Sequence, residues 1–78
     1  MKKITVYGSG CKNCENTKAL IRRVAEEMGV DVEVGEVTDT VEIMAAGVMS
    51  TPGVAIDGAV VHAGSHPTRE MVEGWLKG

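Results

Sequence analysis

The stretch that decides the fold runs from residue 4 to residue 14 and reads Ile-Thr-Val-Tyr-Gly-Ser-Gly-Cys-Lys-Asn-Cys. It begins inside residues 2–7, where apolar and polar side chains alternate, and this pattern predicts a β-strand. A Gly-Ser-Gly break follows. From Cys11 to Met28, apolar residues recur at steps of three and four, which predicts an amphipathic helix that ends at Gly29. Two cysteines three positions apart therefore lie where a strand ends and a helix begins.

The segment after this helix completes a βαβ unit. Alternating valines predict a second strand over residues 30–34. Two strands separated by a helix of this length are joined by a right-handed crossover and run parallel. Asp39 then precedes a short predicted helix that extends to about Ala46, because its side chain can cap the first turn.

The last third of the chain predicts a hairpin followed by a helix. Asp57-Gly58 is a strong signal for a two-residue turn. It separates a strand over residues 54–56 from a strand over residues 59–62. Pro67 or Thr68 opens the final helix, in which apolar residues share one face.

The resulting order, βαβ-α-ββα, predicts an α/β fold. We expect a four-stranded mixed sheet in which the first two strands are parallel and the last two form an antiparallel hairpin. Helices must cover both faces, because the strand residues are too apolar to leave one face in water. With 78 residues, the chain is expected to be one domain, residues 1–78.

The charge and hydropathy of the chain exclude several classes of protein. The formal net charge is −3, and a basic nucleic-acid surface is not expected at this balance. No apolar run approaches the about 20 residues that span a bilayer, and no secretory leader is visible. We therefore expect no nucleic-acid or membrane partner, and a cytoplasmic location.

The two cysteines suggest redox or metal chemistry. Two are too few for a disulfide-rich scaffold, and a disulfide that closes so short a loop stabilises a fold little. At the start of a helix, the unpaired N–H groups and the helix dipole favour a thiolate at Cys11, and Lys12 adds a positive charge. Cys14 lies one turn later on the apolar side, as a more buried resolving thiol would.

Three segments resemble the thioredoxin superfamily, and most of all its small thioredoxin-like redox-active disulfide proteins. They are residues 8–16, residues 49–54 and residues 56–58 with the following hairpin and helix. The resemblance implies a dithiol–disulfide oxidoreductase of thioredoxin or glutaredoxin type, in which Cys11 and Cys14 are the catalytic residues and form the redox-active disulfide. It implies no bound cofactor and no metal site.

The same resemblance implies a substrate site and partners. Pro52 would follow a cis peptide bond and face the cysteine pair, and the backbone of Thr51 would pair with an extended disulfide-containing protein substrate. Lys12 and Tyr7 are further candidate substrate-binding residues. A flavin-containing, thioredoxin-reductase-like enzyme would recharge the protein, which is expected to be a monomer.

The chain departs from the family pattern at informative positions. Gly10 stands where thioredoxins have an aromatic residue. The glycines of Gly8-Ser9-Gly10 are expected to let a partner's backbone approach Cys11. Thr5 stands where they have a buried acid, so proton transfer to Cys14 would rely on water or another group. Lys-Asn stands between the cysteines in place of Gly-Pro, so a redox potential cannot be carried over from ordinary thioredoxins. Residues 64–66 lack the acid that helps glutaredoxins hold glutathione. This difference favours a protein disulfide over glutathione.

Three further side chains have competing interpretations. Tyr7 could donate a hydrogen bond to a thiolate or substrate, or serve only as a strand aromatic. Met44 is expected to fill a gap in a core that is poor in aromatic residues. Met49 is the exception among the methionines, because it precedes Pro52 and can line an apolar substrate groove.

The alternative function is a soft-metal or metalloid carrier that uses the same cysteine pair. Heavy-metal-associated domains also have two cysteines at this spacing, but their order is βαββαβ and they usually have Met where this chain has Ser9. A zinc site formed with His62 and His66 has the wrong spacing. We expect one partly buried strand histidine and one loop histidine instead.

Overall fold

The structure is a computed structural model that describes residues 2–8 and 12–77. Within these residues the chain forms four strands and three helices: β1 (Lys2–Tyr7), α1 (Lys12–Met28), β2 (Val32–Val37), α2 (Thr40–Ala45), β3 (Gly53–Ile56), β4 (Ala59–Ala63) and α3 (Arg69–Lys77).

The strands form one mixed sheet in the order β2-β1-β3-β4. β1 and β2 are parallel, whereas β3 is antiparallel to both β1 and β4. The predicted fold class is therefore confirmed. The sheet order also places the end of β1 between two neighbouring strands, at the middle of one edge of the sheet.

The second strand is longer and later than predicted. It runs from Val32 to Val37 and pairs with β1 along its whole length. The predicted start at Val30 was wrong because the end of α1 uses that residue. The N–H of Val30 donates to the Ala25 carbonyl (2.9 Å), and Gly29 takes the left-handed φ of 69° that closes this helix cap. At the other end, Gly35 interrupts the alternation that identified the strand.

The main core lies between one face of the sheet and helices α1 and α3. Its members are aliphatic side chains and one cysteine, all nearly inaccessible to solvent: Ile4, Val6, Cys14, Ile21, Val24, Ala25, Val54, Val72 and Leu76. Among the described residues, the partly buried Trp75 is the one aromatic side chain packed against this core, which therefore depends on the close packing of aliphatic groups.

The segment around α2 covers the other face of the sheet. Val54 contacts the main core, so its neighbours Gly53 and Ala55 point away from that core. A β carbon added at Gly53 would lie 2.7 Å from Cγ1 of Val48. Val48 and Ile43 are both buried and lie outside the main core cluster. Two helices thus cover one face, and α2 with its following loop covers the second.

The predicted two-residue turn between β3 and β4 is present. Asp57 and Gly58 have φ angles of 49° and 90°, the positive values that this type of turn requires. The turn is tied to β1, because the N–H of Lys3 donates to the Asp57 carboxylate (3.0 Å) and the N–H of Asp57 donates to the Lys3 carbonyl (2.8 Å). In the part of the chain that the structure describes, no helix is long and apolar enough to cross a membrane.

Candidate active site

Cys14 lies in the first turn of α1 and is 1% exposed. The sequence predicted a buried second cysteine on the apolar side of this helix, and the structure agrees. Cys11 lies outside the described residues, so its exposure and the state of its sulfur stay predictions. A large substrate cannot reach a side chain as buried as Cys14 directly from solvent.

The tightest contact at this site joins Gly8 to Cys14. A β carbon added at Gly8 would overlap Sγ of Cys14 and would lie 3.0 Å from its β carbon. The N–H of Gly8 donates to the Val37 carbonyl (2.9 Å), which fixes the glycine at the end of β1. Gly8 is therefore a glycine because it makes room for Cys14. The approach of a partner's backbone at Gly8 stays a prediction, and Gly10 lies outside the described residues.

The segment Thr51-Pro52 lies beside the same contact. Its peptide bond is cis, as the resemblance implies. Pro52 is buried and Thr51 is exposed, and the carbonyl of Pro52 accepts a hydrogen bond from the N–H of Gly64 (3.1 Å). The β carbon of Thr51 lies 3.9 Å from the position that a β carbon would take at Gly8. The structure thus brings together Cys14, Gly8 and Thr51.

A buried threonine and an ion pair follow Cys14 along α1. Thr17 is fully buried, and its hydroxyl donates to the Asn13 carbonyl (2.6 Å), so its polar group is satisfied. Lys18 forms an ion pair with Glu36 of β2 (2.8 Å). The hydrogen bond lies within α1, whereas the ion pair joins this helix to β2. The sequence pattern did not indicate Thr17, Lys18 or Glu36 as neighbours of the site. Gly8 could have been recognised as a glycine directly after a strand.

The two other candidate substrate residues lie at the ends of the elements that flank the site. Lys12 is exposed and is the first residue of α1. Tyr7 is half-buried and is the last residue of β1, in register with Val37 and Gly53. Their roles stay predictions.

The histidines occupy the positions expected for them. His62 is a partly buried residue of β4 whose ring lies 5.9 Å from that of Trp75, and its Nε2 hydrogen-bonds the Ser65 carbonyl (2.8 Å). His66 is exposed in the loop before α3. The observed order, βαβαββα, also differs from the βαββαβ order of the metal-carrier alternative.

An open groove of about 890 Å³ adjoins Thr51. Its lining comes from α2 and the following loop: Thr40, Ile43, Met44, Gly47, Val48, Met49, Ser50 and Thr51. Met49 is 95% exposed and Met44 is 71% exposed. The expectation that Met44 fills the core was wrong: α2 has only six residues, and Ile43 is the one that it buries.

Comparison with known proteins identifies the family. The sequence model of the thioredoxin domain matches residues 2–77. This chain belongs to the thioredoxin domain family. A protein named thioredoxin from Methanocaldococcus jannaschii is 40% identical over 74 residues, which cover 95% of this chain and 85% of that protein. A protein named thioredoxin from Methanothermobacter thermautotrophicus is 33% identical over 73 residues, covering 94% of this chain and 95% of that protein.

Membership of the thioredoxin family confirms the resemblance of the sequence to this superfamily. Together with the two relatives, it supports thiol–disulfide oxidoreductase chemistry for the chain in general terms. The residues that perform this chemistry, and its substrate, are the subject of the proposal that follows.

Proposed function

We propose that this protein is a dithiol–disulfide oxidoreductase that reduces protein disulfides with Cys11 as nucleophile and Cys14 as resolving thiol. The observation that carries the proposal is the burial of Cys14 in the first turn of α1, against Gly8 and next to Thr51. A thiol that is 1% exposed cannot attack a protein disulfide from solvent. The first attack therefore falls to the other cysteine of the pair.

The reaction has two exchange steps. The Cys11 thiolate attacks one sulfur of the substrate disulfide, forms a mixed disulfide, and releases the other substrate sulfur as a thiolate that takes up a proton. The Cys14 thiolate then attacks the Cys11 sulfur, closes the Cys11–Cys14 disulfide, and releases the second substrate thiolate. Two electrons pass from the dithiol to the substrate, and no bound cofactor is needed.

Residues at the start of α1, in the loop before β3 and at the end of β1 support these steps. The positive end of the α1 dipole and the exposed Lys12 favour a thiolate before this helix. Thr51, exposed beside the cis peptide bond, offers its backbone to an extended substrate. Tyr7, at the end of β1, is proposed to contribute a hydrogen-bond donor to the substrate. We further propose a monomer in the cytoplasm that a flavin-containing, thioredoxin-reductase-like enzyme recharges.

A redox titration of the metal-free protein in dithiothreitol buffers tests the proposal, with thiols counted by alkylation and mass. We expect one two-electron transition between about −300 and −180 mV. Cys11→Ser should abolish the reduction of a protein disulfide, and Cys14→Ser should accumulate mixed disulfides with the substrate. Ala19→Ser, an exposed position on α1, is the control and should behave as the wild type.

Two outcomes would contradict the proposal. If Cys11→Ser still reduced the substrate, the nucleophile would be wrongly assigned. If no disulfide formed within the chain, and the thiols were protected only by added metal, the dithiol mechanism itself would be wrong.

A further inference from the structure

Among residues 2–8 and 12–77, one polar side chain is buried, and it lies one helical turn from Cys14. This side chain is that of Thr17, which has no surface exposed to solvent. It shares a face of α1 with Cys14 and Ile21, three and four positions away, and both of these are also buried. A hydroxyl group in these aliphatic surroundings needs a reason that packing does not supply.

The Thr17 hydroxyl adds little to the stability of the core. A valine has the same shape and would fill the position without a polar atom. A buried hydroxyl destabilises a fold unless it is hydrogen-bonded, and a threonine that bonds the carbonyl four residues earlier slightly destabilises its helix. Thr17 makes this bond, because its hydroxyl donates to the Asn13 carbonyl (2.6 Å). The effect of the hydroxyl therefore lies in the carbonyl that it contacts.

That carbonyl belongs to the peptide group that leads into Cys14. The C=O of Asn13 and the N–H of Cys14 are the two ends of one planar peptide group. Within α1, the same C=O also accepts the backbone N–H of Thr17 in the helical pattern. Hydrogen bonds linked in a chain polarise one another. A second donor on the Asn13 carbonyl thus makes the N–H of Cys14 a stronger hydrogen-bond donor.

The N–H of Cys14 is a donor of the first helical turn. Donors of this turn point toward the residues before the helix. Cys11 directly precedes the first residue of α1 in the sequence, and a side chain at this position accepts hydrogen bonds from the N–H groups two and three residues later. Cys14 is three residues later. A stronger donor there favours the thiolate of Cys11 over its thiol, because a charged acceptor forms the stronger hydrogen bond.

We propose that Thr17 is a positioning residue of the dithiol chemistry, whose hydroxyl strengthens the hydrogen bond from the N–H of Cys14 to the Cys11 thiolate. The hydroxyl acts through the peptide group of Asn13 and not on the reacting sulfur itself. The inference rests on the proposed function and adds a residue that tunes its nucleophile.

The charges around this turn stay the same when Thr17 is replaced by a neutral residue. The described titratable side chains in the first two turns of α1 and at the adjoining ends of β1 and β2 are Tyr7, Lys12, Cys14, Glu15, Lys18 and Glu36. Lys18 and Glu36 are paired with each other (2.8 Å). A difference in pH profile between variants at position 17 therefore reports the hydrogen bond rather than a new charge.

Two matched pairs of proteins test the proposal. Thr17→Val replaces the hydroxyl of the wild type by a methyl group of similar size. Thr17→Ser and Thr17→Ala both lack the γ-methyl group and differ from each other only in the hydroxyl. Each reduced protein is mixed with an excess of the mixed disulfide of mercaptoethanol and thionitrobenzoate across a pH series. Cys11 attacks the mercaptoethanol sulfur and releases thionitrobenzoate, so the release gives the rate of the first exchange step.

We expect the hydroxyl, and not the methyl group, to determine the pH profile. Well below the midpoint of the profile, Thr17→Val and Thr17→Ala should react about a third more slowly than their hydroxyl-bearing partners. Well above it they should react about a third faster, because a thiol with a higher pKa is less ionised but a better nucleophile once ionised. The two profiles of each pair should therefore cross.

Stability should divide the four proteins differently. Thr17→Ser and Thr17→Ala should unfold at lower urea concentrations than the wild type and Thr17→Val, because both lack a methyl group that fills the core. Thr17→Ser is thus expected to be less stable than the wild type with the same pH profile, and Thr17→Val to be stable with a displaced one. A residue that serves only in packing would not separate the two measurements.

Three results would contradict these expectations. Superimposed profiles within each pair would overturn the proposal, and so would a rate lowered by one factor at every pH, which indicates a general loss of site geometry. If Thr17→Val did not fold, Thr17→Ser and Thr17→Ala would decide the same question. No release of thionitrobenzoate by the wild type at any pH would instead overturn the dithiol function on which the inference rests.

Discussion

Gly8 and Cys14 are in such close contact that a β carbon at position 8 would overlap the sulfur of Cys14. The end of β1 and the first turn of α1 are therefore held against each other without a side chain between them. Cys14 is 1% exposed in this contact. The contact links a backbone requirement in the strand to the side chain that we propose resolves the mixed disulfide.

Gly8→Ala tests this relationship. Overpacking at a filled site costs about 1–3 kcal/mol in the free energy of unfolding, and we expect a loss in this range. With Cys14→Ala in the same chain, the added methyl group no longer overlaps the sulfur, so the cost of Gly8→Ala should fall. Urea denaturation of all four proteins under reducing conditions measures this coupling. Strictly additive effects would show that the overlap with Cys14 is not the reason why position 8 requires glycine.

A second close approach, on the other face of the sheet, predicts a similar coupling. A β carbon at Gly53 would lie 2.7 Å from Cγ1 and 3.0 Å from Cγ2 of Val48. Gly53→Ala should destabilise the protein by about 1–3 kcal/mol, and Val48→Ala should lose about as much through its cavity. The double variant should be more stable than the sum predicts, because one methyl group fills the space that two others leave. Unfolding in urea gives the coupling, and its absence would mean that Val48 moves aside freely.

The cap of α2 predicts a difference between two substitutions at one position. The Asp39 carboxylate accepts a hydrogen bond from the N–H of Val41 (2.8 Å). Asp39→Ala removes this acceptor and should cost about 1 kcal/mol, whereas Asp39→Asn keeps a side-chain oxygen and should cost far less. Thermal unfolding of both variants checks the prediction. If both variants lost the same stability, the charge rather than the cap would be responsible.

Local chemistry made much of the fold predictable from the sequence. The cap at Asp39, the turn at Asp57-Gly58 and the helix end at Gly29 each depend on a few adjacent residues, and each is present in the structure. The burial of Cys14 followed from its place in the helical period. These features could be predicted because the interactions that determine them lie within about five residues of sequence.

Contacts between distant segments could not be predicted in the same way. The reason for Gly8 lies on another element, in the side chain of Cys14. The true length of β2 depends on its register with β1, which Gly35 concealed. Met44 was expected to fill a core poor in aromatic residues, but it is exposed, because a helix as short as α2 buries only Ile43. In each case, the deciding partner is remote in sequence or the local pattern is too short.

The ion pair between α1 and α3 predicts how stability depends on pH. Arg69 donates two hydrogen bonds to the Glu27 carboxylate (2.7 and 3.2 Å) and one to Glu73 (2.9 Å). The hydrogen bond from Arg69 lowers the pKa of Glu27 below its ordinary value of 4.5. A carboxyl whose pKa is lower in the folded state stabilises the fold above its unfolded pKa, and the contribution is lost as the pH falls through the folded pKa.

Glu27→Gln should therefore lower the free energy of unfolding at pH 7, by a small amount because both side chains are about half exposed. The difference from wild type should shrink as the pH falls below 4.5, and added salt at neutral pH should also reduce it. Urea unfolding across a pH series measures the difference. Glu26→Gln, an exposed neighbour on α1, makes the same change of charge without this partner and is the control. A gap between wild type and Glu27→Gln that stayed constant with pH would show that the carboxylate charge does not stabilise the contact between α1 and α3.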